Sequence, residues 1–386
     1  MIYFDNAATS FPKPKEVVEA VNDTIINYGV NPGRSGHRLA LELDRRIFDA
    51  REKLTDFIGG NNPMNLVFTS SCTDSLNTAI YGLAEKFYQR KEKCHVITTV
   101  LEHNSVLRPL KYLEQIGKIS LTIVDADKYG IVNPEDIGKA ITEDTKFCVT
   151  TAMSNLIGTT VDIVKVGKIL KQKDIIYIVD AAQGLGYVDI DMDNMPIDIL
   201  CFPGHKGILG LTGTGGLYFK DGIEIEPFRR GGTGSFSLEL EQPEVSPDKF
   251  ESGTLNAAGV ESMAAGVEYI NNIGLKNIQN HEDILKDEFI KGLKDIDNIK
   301  LYGSLDDRQG PVVSLNIDGI DSSELAFKLS YDHDICTRAG FHCAPLAHRL
   351  LGTDKKGAVR FSFSYFNTLE EIKETIEILK SYAREA

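Results

Sequence analysis

Four places in this chain combine residue types and spacing suited to chemistry. The segment Cys201-Phe202-Pro203-Gly204-His205-Lys206-Gly207 puts a lysine near Phe202, Ile208, Leu209 and Leu211, shortly after a buried strand. Desolvation lowers a lysine pKa, and the neutral amine that results can form a Schiff base. A lysine on a glycine-rich loop accounts for the same residues. Asp180 ends the apolar run Ile175-Ile176-Tyr177-Ile178-Val179. An acid at the carboxyl end of a central parallel strand lies where open α/β sheets bind ligands; a helix cap or strand-end solvation accounts for it as well. Ser71-Cys72-Thr73-Asp74 reads as a strand-to-helix junction, where N–H groups and hydroxyls hold a phosphate or cap the helix. Cys343 has His342 beside it, Arg338 five residues before it, and glycine and proline marking a loop. Such surroundings favour a reactive thiolate; a small buried apolar residue is the other reading.

The run Gly210-Leu211-Thr212-Gly213-Thr214-Gly215-Gly216 invites a nucleotide-loop reading, but the required order fails. Leu217-Tyr218-Phe219 reads as a strand where a phosphate-binding helix should begin. The six cysteines, at 72, 94, 148, 201, 336 and 343, form no C-x-x-C pair, which argues against a zinc ribbon or a thioredoxin-like site.

These residues need a scaffold, and the pattern supplies an α/β one. Apolar runs at 65–69, 95–99, 146–151 and 175–179 read as strands. Leu76, Ile80, Leu83 and Phe87 recur at helical spacing, as do Leu107 and Leu110, and Val164, Val166, Ile169 and Leu170. Parallel strands with crossover helices satisfy this alternation. Residues 229–254, rich in Gly, Ser, Glu and Pro, read as a long loop. A second region opens near Leu255 with helices at 263–270 and 281–293, a strand at 312–317 and a last helix at 369–383. The expected organisation is a large domain over 15–254 and a small α+β domain built from 1–14 and 255–386.

The chain of 386 residues is long enough for two such domains. Its 42% hydrophobic and 25% charged content is ordinary for a folded protein. A formal charge of −14 argues against a nucleic-acid surface. No apolar stretch is long enough for a membrane helix, and MIYFDNAATS lacks the features of a signal peptide. The expected setting is cytoplasmic, with reduced thiols.

Seven motifs in order resemble the class V aminotransferase family of fold-type I pyridoxal-phosphate (PLP) enzymes, and within it the cysteine desulfurases and selenocysteine lyases. They are Tyr3-Phe4-Asp5-Asn6-Ala7-Ala8-Thr9, Glu102-His103-Asn104, Ser154-Asn155-Leu156-Ile157-Gly158-Thr159, Val179-Asp180-Ala181-Ala182-Gln183, Gly204-His205-Lys206, Phe250-Glu251-Ser252-Gly253-Thr254-Leu255-Asn256 and Arg338-Ala339-Gly340-Phe341-His342-Cys343-Ala344-Pro345. The resemblance implies a large domain with a mostly parallel sheet and a smaller α+β domain. It implies that Lys206 holds the cofactor, that His103 stacks on its ring and assists proton transfer, and that Asp180 pairs with the pyridine nitrogen. Gln183 would meet the phenolic oxygen. Thr73, His205 and the backbone near Cys72 would bind the phosphate, with Thr254 reaching across a homodimer. Asn155 and Arg360 would receive the substrate carboxylate, a task suited to a guanidinium fork.

Cys343 decides the sub-class. In the desulfurases that this chain resembles, the thiol attacks the sulfur of substrate cysteine, leaving a persulfide and L-alanine; an acceptor protein or thiol then takes the sulfur. Selenocysteine lyase activity, another class V reaction such as transamination or epimerisation, and a non-catalytic PLP-binding sensor are the alternatives. Pro203 stands where many relatives carry a phosphate-binding serine, and Cys72 where threonine is common.

Overall fold

The computed structural model describes residues 1–33 and 36–385. The chain opens on a short strand, β1 (Ile2–Tyr3), and two helices, α1 (Lys15–Asn27) and α2 (Arg38–Phe57). An alternating stretch follows: β2 (Leu66–Thr69), α3 (Cys72–Gln89), β3 (His95–Thr99), α4 (Asn104–Gln115), β4 (Ser120–Val124) and α5 (Pro134–Lys139). It continues through β5 (Thr145–Thr151), α6 (Ile163–Lys171), β6 (Ile176–Asp180), β7 (Ile199–Pro203) and β8 (Gly215–Phe219). Next come α7 (Ala257–Ile273), α8 (Leu275–Leu293), β9 (Ile299–Tyr302), β10 (Val312–Ile317) and α9 (Ser322–His333). The chain ends with β11 (Ile335–Cys336), β12 (Arg338–Gly340), α10 (Pro345–Leu351), β13 (Ala358–Ser362) and α11 (Leu369–Glu385).

Seven strands form the main sheet in the order β2-β8-β7-β6-β5-β3-β4. The pairs β4/β3, β3/β5, β5/β6 and β6/β7 are parallel, and β8 alone runs against its neighbours β7 and β2. Helices cover both faces, so the central strands are buried throughout and read as nearly unbroken apolar runs. Because β2 is antiparallel to β8, the carboxyl ends of β2, β3, β5, β6 and β7 all lie along one edge. The α/β pattern is therefore observed, and the stretch after Thr214 is the strand β8 rather than a phosphate-binding helix. One expectation shifts: Cys201, Phe202 and Pro203 lie inside β7, so Lys206 follows the end of a strand directly.

A four-stranded antiparallel sheet, β12-β13-β10-β9, forms the second unit, and β1 pairs in parallel with β11 beside it. Ile2 and Phe4 join its core with Leu285, Phe289, Val313 and Phe361, so the N-terminal segment packs with the C-terminal third. The break near Leu255 is not where the cores part. Val260, Met263, Val267 and Ile270 of α7 pack into the large core, and so does Ile278 of α8, whereas Leu285 to Leu293 face the small one. The change of allegiance occurs inside α8. No helix or strand occurs in residues 229–254, and Leu238 and Leu240 are almost fully exposed there.

Candidate active site

Five strand ends deliver one cavity of about 230 Å³. Ser71, Cys72 and Thr73 arrive after β2, His103 and Ser105 after β3, and Thr151 and Asn155 at the end of β5. Asp180 ends β6, with Ala182 and Gln183 just after it, and Pro203 ends β7, with His205 and Lys206 following. Open parallel sheets bind ligands on this edge because helices then start there, presenting unspent N–H groups.

Lys206 is brought there by tight packing of its neighbours. Gly207 lies against the backbone of Leu185 and Gly186, where an added Cβ would sit 2.0 Å from the Leu185 carbonyl oxygen. The preceding carbonyl, that of His205, accepts from Ser10 N (3.1 Å), Thr9 Oγ1 (3.1 Å) and Lys13 Nζ (3.0 Å), tying the N-terminal segment to the lysine loop. Burial pushes the Lys206 amine down to about 8, with the Arg360 charge adding to the effect.

Asp180 is buried on β6 and accepts two hydrogen bonds on Oδ1, from Ala182 N at 2.9 Å and from the Cys72 thiol at 3.5 Å. Burial raises its pKa, while the Ala182 N–H and the Lys206 charge work the other way. The Cys72 thiol is itself held protonated, chiefly by burial, and so acts as a donor.

His103 is the N-cap of α4, and its Nδ1 accepts from Ser105 N at 3.0 Å. The capping bond assigns the tautomer, since an accepting Nδ1 leaves the ring hydrogen on Nε2. Burial, then Lys206 and Arg338, push this ring down to about 4, so it is neutral. His205 is likewise pushed to about 4, by burial and then Lys206; its Nδ1 is buried without a hydrogen-bond partner among the described residues. Ser71 caps α3 by accepting from Asp74 N at 3.2 Å. Thr73 stands in the first turn of that helix.

Four expected residues are placed differently from the rest. Gln183 lines the cavity, but its Nε2 donates to Ala7 O at 2.9 Å. Asn155 also lines it, and its Nδ2 donates to His342 O at 2.7 Å. Arg360 is buried on β13 outside the cavity lining, with Nη1 on Asn155 O (2.9 Å) and Nη2 on Asp5 Oδ1 (2.8 Å). Its guanidinium fork is already occupied by protein acceptors, one of which is a carboxylate. Thr254 does not join the cluster within its own chain; it is exposed and borders a different cavity with Gly213, Ser252 and Asn256. The reason lies in Glu251, whose buried carboxylate is gripped by Arg51 at 2.8 and 2.9 Å and by Phe68 N at 2.7 Å. That anchor ends the long loop and leaves Thr254 facing outward.

Cys343 is the exposed member of the six cysteines. It sits between β12 and α10 in a turn where His342 (φ 50°) and Cys343 (φ 55°) are both left-handed. Side chains other than glycine pay roughly 1–3 kcal/mol each for that backbone region, and the strain persists only where the surroundings over-determine it. The turn is pinned from the large unit by Asn155 on His342 O and by Asn104 N on Cys343 O at 2.8 Å. The backbone of Cys343 thus lies against Asn104, the residue that follows His103.

Sequence reasoning passed over Lys13 and Ser105, and quoted Glu102 without a role. Glu102 is fully buried, accepts from Thr99 Oγ1 at 2.7 Å and is pushed up to about 8 by burial, so it is a neutral acid. Its signal was an acid directly after the apolar pair Val100-Leu101, a position where charge is out of place.

A family model described as aminotransferase class-V matches residues 2–375. A probable cysteine desulfurase from Methanothermobacter thermautotrophicus is 35% identical over 389 residues, covering 99% of this chain and 94% of the relative. A cysteine desulfurase from Haloferax volcanii is 31% identical over 392 residues, covering 100% of this chain and 90% of the relative. Among solved structures, the apo cysteine desulfurase from Thermococcus onnurineus NA1 superposes with a TM-score of 0.93 at 34% identity, over 100% of this chain and 95% of that one.

Proposed function

The chain belongs to the class-V aminotransferase family, and from that premise we propose that it is a cysteine desulfurase, taking sulfur from L-cysteine onto Cys343 and releasing L-alanine. The observation that carries the reading is the pairing of one cavity, holding a buried lysine and a buried acid, with one exposed, pinned cysteine.

Family membership implies dependence on pyridoxal phosphate, and the residues present fit that group. The unpartnered Nδ1 of His205 and the first turn of α3 with Thr73 offer donors to a phosphate. Pro203 offers no hydroxyl there, and Cys72 spends its thiol on Asp180. Asp180 would meet the ring nitrogen, Gln183 the ring oxygen and His103 the ring face, with Lys206 as the covalent anchor. Thr254, turned outward, would serve the phosphate of a second copy in a homodimer. When bound, the group supplies an electron sink that acidifies the substrate Cα–H.

The protein's own residues do the rest. Lys206 Nζ, which burial makes easier to deprotonate, takes the Cα proton as the free amine. His103 carries a hydrogen on Nε2 and neighbours both Lys206 and the Cys343 turn, a position suited to returning a proton. The fork of Arg360 would exchange Asp5 Oδ1 for the substrate carboxylate, with Asn155 alongside it. The Cys343 thiolate attacks the substrate sulfur; the S–S bond forms, the C–S bond breaks, and its electron pair leaves on carbon to be protonated. The persulfide sulfur then passes to a thiol or an acceptor protein from an exposed position.

The deciding experiment is mass spectrometry of the holoenzyme after incubation with L-cysteine. One added sulfur on the peptide containing Cys343, with L-alanine in the supernatant, is the expected result. Keto acid without persulfide would replace this reading with another class V reaction.

A further inference from the structure

The left-handed turn at His342 and Cys343 is held on its outer side by the segment that follows it. His342 is buried, and its Nε2 lies 3.0 Å from Arg338 O. A carbonyl only accepts, so the ring hydrogen is on Nε2 and Nδ1 is left as an acceptor. Facing Nδ1 at 3.4 Å is His348 Nε2, on α10, with the two ring planes only 13° apart. Nearly parallel rings let an in-plane N–H point at an in-plane lone pair. His348 Nδ1 then accepts from Thr353 Oγ1 at 2.7 Å, a shorter contact than the 3.3 Å from that hydroxyl to His348 O.

One placement of hydrogens satisfies all three of these contacts. Thr353 donates to His348, His348 to His342, and His342 to Arg338, with both rings neutral. The surroundings agree. Arg338 and Arg360 face His342, whose ring burial pushes down to about 3, and burial also lowers His348, although Asp354 and the Phe341 carbonyl oppose it.

We propose that His348 is a positioning residue for Cys343: through the His342 ring it holds the strained turn whose Cys343 backbone docks on Asn104, next to His103. The large unit pins the carbonyls of the turn, and His348 pins the side chain between them. Both restraints are needed, because a backbone region disfavoured for ordinary residues relaxes when one side is released. His348 does not touch the reacting atoms.

The kinetic test rests on the desulfurase reading, and the structural one does not. In His348→Leu, single-turnover formation of the Cys343 persulfide falls by roughly tenfold or more, the scale on which a misplaced reacting group loses rate. Exchange of the Cα hydrogen of L-alanine into deuterated water, which needs Lys206 but not Cys343, stays within about twofold of the parent. In His348→Gln an amide N–H again reaches the His342 ring, and persulfide formation returns to near the parent rate. Amide exchange over residues 338–345 speeds up in the leucine variant and recovers in the glutamine one. Should His348→Leu not accumulate as folded protein, Thr353→Val removes the terminal donor and carries the same comparison. Equal persulfide rates, or glutamine no better than leucine, would overturn the proposal. A parent enzyme that forms no persulfide would sink the desulfurase reading instead; unchanged exchange over residues 338–345 in the leucine variant would then overturn this one.

Discussion

In the proposed reaction, Lys206 and Cys343 serve one site from opposite physical regimes. The lysine follows a fully buried strand, packs glycine to glycine against its neighbour loop and owes its reactivity to exclusion from water. The cysteine is exposed, on a turn whose backbone is unfavourable for its residue types, and is held by hydrogen bonds from three directions. The difference follows from the chemistry proposed for each. A neutral amine at working pH needs desolvation, which rigid strand ends provide. A sulfur that must arrive from a substrate and depart to an acceptor needs access, and access is incompatible with burial. Precision at an exposed position then has to come from hydrogen bonds rather than packing.

The comparison breaks most sharply at the lysine. Lys206→Ala is expected to lower alanine formation by about 10⁴-fold or more, since it removes both the covalent anchor and the proton-transfer group. Cα hydrogen exchange should vanish with it. A variant that keeps exchanging that hydrogen would take Lys206 out of the mechanism.

Cys343→Ala should separate the two regimes. Persulfide and alanine formation from L-cysteine cease, while Cα exchange persists within about twofold, because the lysine side is complete without the thiol. Loss of both together would show that the two sides are not independent.

A smaller effect is expected at Cys72, whose thiol donates to Asp180 on the buried side. Cys72→Ala removes one weak donor and leaves the Ala182 N–H in place, so a several-fold fall in turnover is expected, in line with a lost hydrogen bond of about 1 kcal/mol. Cys72→Ser should retain most of the activity. Steady-state kinetics of the three proteins decide it, and identical rates would deny the thiol any part in setting the acid.

The mildest test is of stability, at Glu102. Its folded pKa of about 8 lies above its ordinary 4.5. Whatever stability the protonated acid contributes is complete below the lower value and lost as the pH rises through the higher one. Glu102→Gln cannot titrate. Its melting temperature should therefore improve relative to the parent between pH 5 and pH 8, by an amount equivalent to a few kcal/mol. A difference that stays constant over that range would mean the acid is ionised in the native protein.

Much of the lysine side was legible from the amino-acid order. The strands ending at Thr69, Thr99, Thr151 and Asp180 are short and largely buried, with apolar residues at their centres, because both faces of a parallel sheet are covered. Each functional residue there follows its strand within a few positions, so local order and spatial order coincide. The helices α1 and α2 went unread, and the packing of α7 against the large core was not foreseen, because an amphipathic pattern shows that a face is buried without saying against what.

The cysteine side shows the converse. That Cys343 is reactive could be argued from its neighbours, but its left-handed turn, the grip of Asn155 on His342 and the ring-to-ring contact with His348 join residues far apart in the chain. The outward turn of Thr254 and the occupied fork of Arg360 are decided in the same way, by Glu251 and Asp5. Apolar periodicity is a local property, so order along the chain was enough to show the α/β alternation and to put the acid at the carboxyl end of a strand. Hydrogen-bond partners depend on angles and distances between elements that meet only after the chain has closed on itself. Tertiary structure alone settled how the thiol is held.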